Sequence, residues 1–477
     1  MNKKQNNIII VLFTGIAVIS VVLRLYHIGA PVADWHSWRQ VDTAAVARNY
    51  MRFGIDPLHP RYDDLSNIQS GYDNPQGYRM VEFPLYQLAG AYIGNMLPTI
   101  PIEVILRFLT VIASTITGLA LGILILRRVG AIAGIATALM YAILPYSMYY
   151  GRTILPDPHA VMWAVLSLLC IDLGMTSLKR TWVWVLLGVV TAALAILVKP
   201  VAGFLLLPVI GLVFSDKKKF GILLFYGAIA IIPFLLWRQW MLKYPEGIAV
   251  YTWLFNANNI RFKGAWFYWL FAERIAKLIL GYWGMILLGF GLVAPIKKEH
   301  KGIILWFIIG SLSYMVILAA GNVQHDYYQI LILPTLVSVV GGGIGWVLTQ
   351  KGNRLVLYLT GFVSVIFMCM FSWYTIRTFY WINRPEIVEV GQMADKLLPR
   401  DAKVIAPYNG DTTFLYQTGR QGWPLGFEID KKIQMGATHY VTVSPTDNDL
   451  ETRDLANKYT VLVRNEKYAI IDLTKQK

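Results

Sequence analysis

The chain has 477 residues, of which 56% are hydrophobic and 15% are charged, and its mean hydropathy is +0.50. Soluble domains have about a quarter of their residues charged, so this composition excludes an ordinary soluble domain and indicates a polytopic membrane protein. The formal net charge of +15 does not indicate a nucleic-acid partner, because most Lys and Arg residues stand in short clusters between apolar segments.

The apolar segments have the length that a helix needs to cross the hydrocarbon core of a bilayer, about 20 residues. The segment Val201–Phe214 is short, so it and its neighbour form either two spans or a re-entrant pair. We predict about eleven transmembrane helices, in Ile8–Leu25, Pro101–Leu126, Ala131–Tyr150, Pro158–Met175, Thr181–Val198, Val201–Phe214, Phe220–Trp237, Ile275–Pro295, Ile303–Ala320, Ile330–Val347 and Leu355–Thr375.

The basic clusters fall on one side of the membrane if every segment crosses once, and by the positive-inside rule that side is the cytoplasm. The clusters are Lys3 and Lys4, Arg127 and Arg128, Lys179 and Arg180, Lys217 to Lys219, Lys297 with Lys298 and Lys301, and Lys351 with Arg354. We therefore predict a multi-pass protein of the plasma (inner) membrane with a cytoplasmic N-terminus.

Two domains are predicted. Residues 1–383 form a transmembrane domain whose first outer loop is 26–100, and within that loop the short apolar helix Leu85–Leu97 lies in the membrane interface. Residues 384–477 form a small extracytoplasmic α/β domain. Its predicted elements are a helix at Glu386–Leu398, strands at Lys403–Tyr408 and His439–Ser444, and a hairpin at Tyr459–Leu473 that turns at Asn465-Glu466.

The first outer loop carries the densest group of acids, bases and aromatics in the chain, in the stretch ADWHSWRQVDTAAVARNY, which we predict to be a wet loop. A carboxylate held there among aromatic rings can act as a general base toward a hydroxyl group, and either Asp34 or Asp42 fits. Glu82 precedes Pro84 and the interfacial helix; it is either a carboxylate favoured near a helix N-terminus or a metal ligand or sugar-hydroxyl acceptor.

Three further polar turns fall on the same outer face, which predicts an active site there. Asp157 stands in GRTILPDPHA, with Arg152 and His159 near it in sequence. Lys199 is either a lysine that snorkels to the interface or a cation for a lipid phosphate. The fourth turn contains His325, Asp326, Tyr327 and Tyr328. A transporter would place polar sites near the bilayer midplane, and the spans show no such pattern.

At these residues the chain resembles the membrane-embedded C-type glycosyltransferases, specifically the bacterial relatives of the protein O-mannosyltransferases and aminoarabinose transferases of glycosyltransferase family 39. The Glu-x-Pro-x-x-Tyr signature is matched by Glu82, Pro84 and Tyr86, with one residue fewer before the Tyr. The further matches are the turn Arg152 to Asp157, the pair Lys199-Pro200, and the turn His325, Tyr327 and Tyr328. Where the family usually has Asp-Glu, this chain has Arg39-Gln40, within an HSWRQ-x-DTA form.

The resemblance implies an inverting glycosyltransferase that moves a sugar from a polyprenyl phosphate to a glycan, lipid or protein acceptor on the outer face. Because Arg39-Gln40 replaces the acidic pair, the base is Asp34 or Asp42, or His36 shares the role. Lys199, Arg152 and Arg39 bind the donor phosphate, and Asp157 orients acceptor or sugar. Glu82, Tyr86, His325, Asp326, Tyr327 and Tyr328 bind substrate. The cofactor is unknown; a divalent metal is possible, held by Glu82 and His325. The alternatives are a lipid-linked sugar flippase or transporter, and an oligosaccharide ligase.

Overall fold

The structure is a computed structural model that describes residues 3–176, 180–213, 220–295, 301–443, 445 and 449–477. Several residues used in the sequence-based predictions lie outside these ranges: Lys179, Lys217 to Lys219, Lys297, Lys298, Phe214 and Ser444. The chain forms two compact units. Unit 1 contains Met1–Ile28, Arg107–Arg238 and Tyr251–Phe379, and unit 2 contains Gly29–Leu106, Gln239–Val250 and Tyr380–Lys477.

Unit 1 is built from helices, most of them apolar. Its α-helices are Lys3–Arg24, Ile102–Arg128 (shared with unit 2), Ala131–Ile143, Pro145–Tyr150, Asp157–Thr176, Thr181–Val198, Gly203–Leu206, Pro208–Val213, Phe220–Met241 (shared), Trp253–Asn256, Gly264–Phe267, Gly284–Val293, Lys301–Ile317, Ala319–Gln324, Leu333–Thr349 and Arg354–Ile376. Short 3₁₀ helices occupy Pro200–Ala202, Ala257–Phe262, Asp326–Leu331 and Arg377–Tyr380, and Tyr268–Ile279 is a π-helix.

Within the described residues, six helical stretches are long and apolar enough to cross a membrane: Lys3–Arg24, Ile102–Arg128, Asp157–Thr176, Thr181–Val198, Phe220–Met241 and Arg354–Leu397. A seventh span results if Gly264–Ile279 and Gly284–Val293, which are bent by 112°, count as one. Four shorter apolar helices are Ala131–Ile143, Pro200–Val213, Gly302–Ile317 and Leu333–Thr349. Each of the predicted segments overlaps one of these stretches, whereas the number of crossings stays a prediction.

The predicted span Ala131–Tyr150 is broken by a proline. The segment expected to be a single helix from Ala131 to Tyr150 stops at Ile143, and a new helix starts at Pro145. Proline has no N–H to donate and disfavours helical backbone at the residue before it, and Leu144 accordingly has ψ 124. The fully buried Arg24 guanidinium donates to the carbonyl oxygens of Tyr141 (2.8 Å) and Ala142 (3.2 Å), which the break leaves without helical partners.

Unit 2 contains a five-stranded sheet, and this confirms the predicted α/β character of the C-terminal segment. The strands are β1 (Lys403–Ile405), β2 (Gln421–Trp423), β3 (His439–Val443), β4 (Tyr459–Arg464) and β5 (Tyr468–Gln476), in the order β2-β1-β3-β5-β4. β1 is parallel to β2 and β3, and β5 is antiparallel to β3 and β4. The helices are Ser37–Phe53, Leu85–Met96, Pro385–Leu397, Thr412–Gln417, Ile429–Gln434 and Leu450–Lys458, with a 3₁₀ turn at Pro245–Gly247.

Two expectations about this unit are wrong. The predicted wet loop is mostly a buried helix, Ser37–Phe53, because the small residues of its DTAAVA stretch pack against Leu85–Met96 and Thr412–Gln417. The predicted strand from Lys403 to Tyr408 ends at Ile405. The sequence also gave no signal for β2, whose three residues are too few to show a strand pattern.

The first outer loop and the C-terminal segment pack together inside unit 2. Gly422 of β2 donates to Asp63 and accepts from Leu65, at 2.8 Å each, so the loop extends the sheet at its β2 edge. The first outer loop and the C-terminal segment share one hydrophobic core in unit 2. The predicted division into domains 1–383 and 384–477, which separates these two segments, stays a prediction. Leu65 packs with Ile405, Trp423 and Tyr440 in that core.

Candidate functional site

Asp42 is a buried carboxylate of unit 2 with three side-chain partners. Its side chain is 1% exposed and pairs with Arg79, whose Nη2 lies 3.0 Å from Oδ2. Gln69 Nε2 donates to the same oxygen at 3.2 Å, and the hydroxyl of Thr412 donates to Oδ1 at 2.7 Å. Both oxygens therefore have donors from the protein itself, and the bonds join the Ser37–Phe53 helix to the C-terminal segment.

Arg39 and Glu82 form a second buried pair. Arg39 Nη2 donates to Glu82 Oε2 at 2.8 Å, and Gln87 Nε2 donates to Oε1 at 3.2 Å. Tyr86, the second residue of the Leu85–Met96 helix, donates its hydroxyl to the carbonyl oxygen of Leu106 at 2.7 Å. The Glu82 carboxylate neutralises Arg39, so the geometry describes an ion pair that holds the loop together. The predicted phosphate role of Arg39 and substrate roles of Glu82 and Tyr86 stay predictions.

Asp34 occupies a different environment, at the wall of a cavity of about 310 Å³. The residue is 4% exposed, and Gln40 Nε2 donates to its Oδ1 at 2.9 Å. His36, two residues on, has a left-handed backbone (φ 55) directly before the helix that starts at Ser37. This uncommon conformation for a non-glycine residue places Asp34, Trp35 and His36 in the cavity lining.

Burial changes the acidity of two further carboxyl groups in this unit. It raises the pKa of Asp64 to about 6, and the negative charge of Asp42 acts in the same direction. Burial also raises the pKa of Asp411, with a further contribution from Asp42. Asp411 caps the helix Thr412–Gln417 by accepting from the Thr413 N–H at 2.7 Å, and it lines the same cavity as Asp34.

In unit 1 the structure brings together Asp157, Lys199, Tyr327 and Tyr328. Lys199 Nζ lies 2.6 Å from Asp157 Oδ1, and 5.6 and 5.3 Å above the ring centres of Tyr327 and Tyr328. Among the residues that the structure describes, no hydrogen-bond donor reaches the buried Asp157 Oδ2. The Thr181–Val198 helix ends directly before Lys199-Pro200, so Lys199 lies at the end of that helix. Asp157 lies in the first turn of the Asp157–Thr176 helix.

The neighbouring turn forms an aromatic stack. The His325 ring stacks on Tyr327 (5.3 Å) and Tyr328 (5.8 Å) and meets Trp253 edge-on. Asp326 accepts from the hydroxyl of Tyr150 at 2.6 Å and lies 3.8 Å from Arg274 Nη1.

The sequence analysis did not single out Tyr150 or Arg274. Both residues lie far from Asp326 along the chain, so the sequence does not indicate that they contact it. Tyr150 does stand two residues before Arg152, which the sequence analysis named as a candidate.

Arg152 is fully buried, donates to the carbonyl oxygen of His27 at 3.3 Å and lies over the Tyr149 ring. Its predicted phosphate role stays a prediction.

The proposed metal ligands do not fit a metal centre. In the described ranges, no group of three or more His, Cys, Asp and Glu side chains is arranged to hold a metal ion. Each oxygen of Glu82 already accepts from a side chain, Arg39 or Gln87. The His325 ring stacks on the rings of Tyr327 and Tyr328. We therefore derive no chemical step through a metal.

The sequence profile of the dolichyl-phosphate-mannose-protein mannosyltransferase family matches residues 15–254, slightly more than half of the chain. The chain belongs to this family. Membership makes it an enzyme of the glycosyltransferase class and an integral, multi-pass membrane protein, as the resemblance in the sequence implied. None of the curated proteins matches the sequence significantly.

Solved structures of other membrane glycosyltransferases have the same fold as this family member. ArnT from Cupriavidus metallidurans bound to undecaprenyl phosphate superposes with a TM-score of 0.66 at 12% identity, covering 97% of each chain. The Archaeoglobus fulgidus oligosaccharyltransferase in complex with Zn and sulfate gives 0.54 at 12% identity, covering 91% of this chain and 68% of that one. The arabinofuranosyltransferase AftD from Mycobacteria gives 0.62 at 14% identity, covering 97% and 40%.

At 12–14% sequence identity, the similarity to these structures shows a shared fold. It confirms the predicted C-type glycosyltransferase architecture, a helical membrane domain accompanied by a small sheet-containing region. It assigns no sugar, acceptor or catalytic residue to this family member. Those assignments depend on the side chains of each unit.

Proposed function

We propose that this chain transfers a sugar from a polyprenyl phosphate to an acceptor hydroxyl group on the extracytoplasmic face of the plasma (inner) membrane. Two relatives in fold support a lipid phosphate as donor carrier, since ArnT was solved with undecaprenyl phosphate and an archaeal oligosaccharyltransferase with a dolichol-phosphate. The orientation, with a cytoplasmic N-terminus, follows from the basic clusters of the sequence.

The observation that carries the proposal is the incomplete ion pair between Lys199 and Asp157. A buried carboxylate oxygen without a donor costs free energy, so such an arrangement is retained where a ligand completes it. A sugar hydroxyl that donates to Asp157 Oδ2 and a phosphate oxygen that accepts from Lys199 Nζ would satisfy both groups. The rings of Tyr327 and Tyr328 beside the ammonium keep water away and strengthen its attraction to a phosphate.

We assign the general base to Asp34 rather than to Asp42. Both oxygens of Asp42 already accept bonds from Arg79, Gln69 or Thr412, so a substrate would have to displace a buried partner. Asp34 lines a cavity that a substrate can enter. Its bond from Gln40 fixes the orientation of the carboxylate, as a catalytic base requires.

The acceptor hydroxyl gives its proton to Asp34 while its oxygen forms a bond to the anomeric carbon. The bond between that carbon and the phosphate oxygen breaks, and its electron pair stays on the lipid phosphate. Attack opposite to the leaving group inverts the anomeric configuration. Because phosphate leaves readily, positioning and charge neutralisation supply most of the rate increase.

An in vitro transfer assay tests this proposal. Purified protein in detergent is incubated with a panel of radiolabelled polyprenyl-phosphate monosaccharides and a membrane extract as acceptor. We expect label to move to the acceptor with the wild type and to be lost with Asp34→Asn and Lys199→Met. The matched controls are Asp73→Asn, an exposed ion-paired aspartate of unit 2, and Lys277→Met, a half-exposed lysine paired with Glu273. Binding of a lipid-linked sugar without any transfer would overturn the proposal in favour of a flippase.

A further inference from the structure

The cavity beside Asp34 is lined by residues from two distant parts of the chain. The Ala33–Trp38 stretch supplies one wall, and the C-terminal segment supplies Asn383, Arg384, Ile387, Tyr408 and Asp411. All of these residues belong to unit 2. Asp34 is 4% exposed and Ile387 is 2% exposed, whereas Trp35 is 42% exposed. The cavity therefore has a buried acidic floor and an accessible aromatic and basic rim.

The lining has the composition of a site for a polyhydroxylated ligand. Three aromatic rings (Trp35, Trp38 and Tyr408) provide flat apolar faces. Asp34 and Asp411 accept hydrogen bonds, the Arg384 guanidinium donates, and the Asn383 amide does both. A sugar ring presents hydroxyl groups around its edge and C–H groups on its faces, so it needs both kinds of partner at once.

The same lining disfavours the other two acceptor classes. Its only aliphatic side chains are those of Ala33 and Ile387, too few to hold a lipid chain. An extended peptide is commonly held by pairing with a strand edge, and no residue of β1 to β5 lines the cavity. Its polar groups instead come from loops and helix ends.

From this arrangement we propose that the cavity is the acceptor site of the enzyme and that the acceptor is a carbohydrate. Asp34 at the floor reaches the hydroxyl that attacks, Tyr408 and Trp35 pack on the sugar ring, and Arg384 with Asn383 bonds to the flanking hydroxyl groups. The acceptor role rests on the proposed transferase function, whereas the carbohydrate preference of the cavity does not. In this arrangement the segment after Tyr380 selects the acceptor.

Direct binding tests the preference without any donor. The probes are a neutral hexose oligosaccharide, a uronic-acid oligosaccharide, a serine-containing peptide and a long-chain alcohol, added to the full-length protein in detergent and followed by saturation-transfer NMR. We expect at least one oligosaccharide to bind, and Tyr408→Ala to weaken that binding by about 10-fold. Tyr408→Phe keeps the ring and should restore most of the affinity, and Arg384→Gln should weaken it.

The matched control is Arg453→Gln, which removes an exposed arginine of unit 2 that does not line the cavity. Binding of the peptide or the alcohol in place of both oligosaccharides would overturn the proposal. So would failure of all four probes to bind, or oligosaccharide binding that Tyr408→Ala leaves unchanged.

The transfer assay separates the two proposals. With the preferred oligosaccharide as acceptor, Tyr408→Ala should raise the KM for the oligosaccharide by about 10-fold while the KM for the lipid donor stays unchanged. A rise in the donor KM alone would place these residues in the donor site and refute the acceptor assignment. If no donor reacts, even with water, but the oligosaccharide still binds through Tyr408, the transferase proposal fails and the carbohydrate site remains.

Discussion

The buried acids Asp42 and Glu82 of unit 2 differ from Asp157 of unit 1 in how completely their oxygens are bonded. In unit 2, Asp42 accepts from Arg79, Gln69 and Thr412, and Glu82 accepts from Arg39 and Gln87. In unit 1, Asp157 is paired with Lys199 through one oxygen, while no described residue donates to the other. A saturated network stabilises the fold, whereas an incomplete one is ready for a ligand. We therefore expect substitution of Asp42 or Glu82 to change mainly the stability of the protein, and substitution of Asp157 to change mainly sugar transfer.

The largest effect we expect is the loss of stability in Asp42→Asn. This variant removes the carboxylate that pairs with the buried Arg79 guanidinium, and breaking such a buried pair costs about 3–5 kcal/mol. Thermal unfolding in detergent should show a large drop in Tm, and Asp34→Asn should show a much smaller one. The double variant Asp42→Asn with Arg79→Met should recover part of the loss. Equal Tm values for Asp42→Asn and Asp34→Asn would contradict the expectation that Asp42 contributes more to stability than Asp34.

Lys199→Met should lower the transfer rate by about 10²–10³-fold, because a neutral side chain cannot compensate the charge of the leaving phosphate. Its Tm should change less than that of Asp42→Asn, since the Lys199 side chain is 16% exposed and the pair is incomplete. Steady-state kinetics and thermal unfolding on the same preparation measure both quantities. Wild-type kcat in this variant would remove Lys199 from the reaction.

Asp64 offers a pH-dependent test of a buried acid whose charge is disfavoured. Burial raises its pKa to about 6 in the folded protein, above the value in the unfolded chain. Its contribution to stability is therefore fully present below about pH 4 and is lost as the pH rises through about 6. Asp64→Asn should match the wild type at pH 4 and be more stable at pH 8, by up to about 3 kcal/mol. A Tm difference that does not vary with pH would contradict the shifted pKa.

The smallest effect should come from Asp73→Asn. Asp73 pairs with Lys431 at 2.9 Å, but both side chains are more than 40% exposed, so water and salt replace the interaction easily. We expect no measurable change in Tm or in transfer. A clear loss of Tm or of transfer activity would mean that the exposure of an ion pair does not predict how much the pair contributes to stability or function.

The sequence predicted those parts of the fold that depend on local composition. Apolar segments of membrane length were found because the bilayer imposes that length, and the hairpin of β4 and β5 was found because its alternating residues flank the turn at Asn465. The break at Leu144 was missed, although Pro145 was its signal. A proline within an apolar run can kink a helix or end it, and the outcome depends on whether a partner such as Arg24 satisfies the freed carbonyls.

The candidate site was predictable in its residue types but not in its pairing. Asp34 stood out because it lies in the densest group of acids, bases and aromatics, and Asp157 and Lys199 stood out as polar residues between apolar segments. Their partners depend on contacts across the chain: Thr412 lies 370 positions from Asp42, and Tyr150 lies 176 positions from Asp326. A single sequence does not show which residues so far apart along the chain are in contact. The helical form of the Ser37–Phe53 stretch was missed because its buried polar residues resemble those of a wet loop until their partners are known.

The bonding of Arg24 has a consequence for the order in which the protein is assembled. This arginine ends the first span, while its acceptors Tyr141, Ala142 and Ser147 are made 117 to 123 positions later. At about 5–20 residues per second, synthesis of that stretch takes roughly 6–25 s. Throughout this interval Ser20 is already present as an acceptor. The rest of the guanidinium has to remain hydrated at the membrane surface, because its partners in the broken segment do not yet exist. The first helix can therefore reach its final depth only after the broken segment beside it has been inserted.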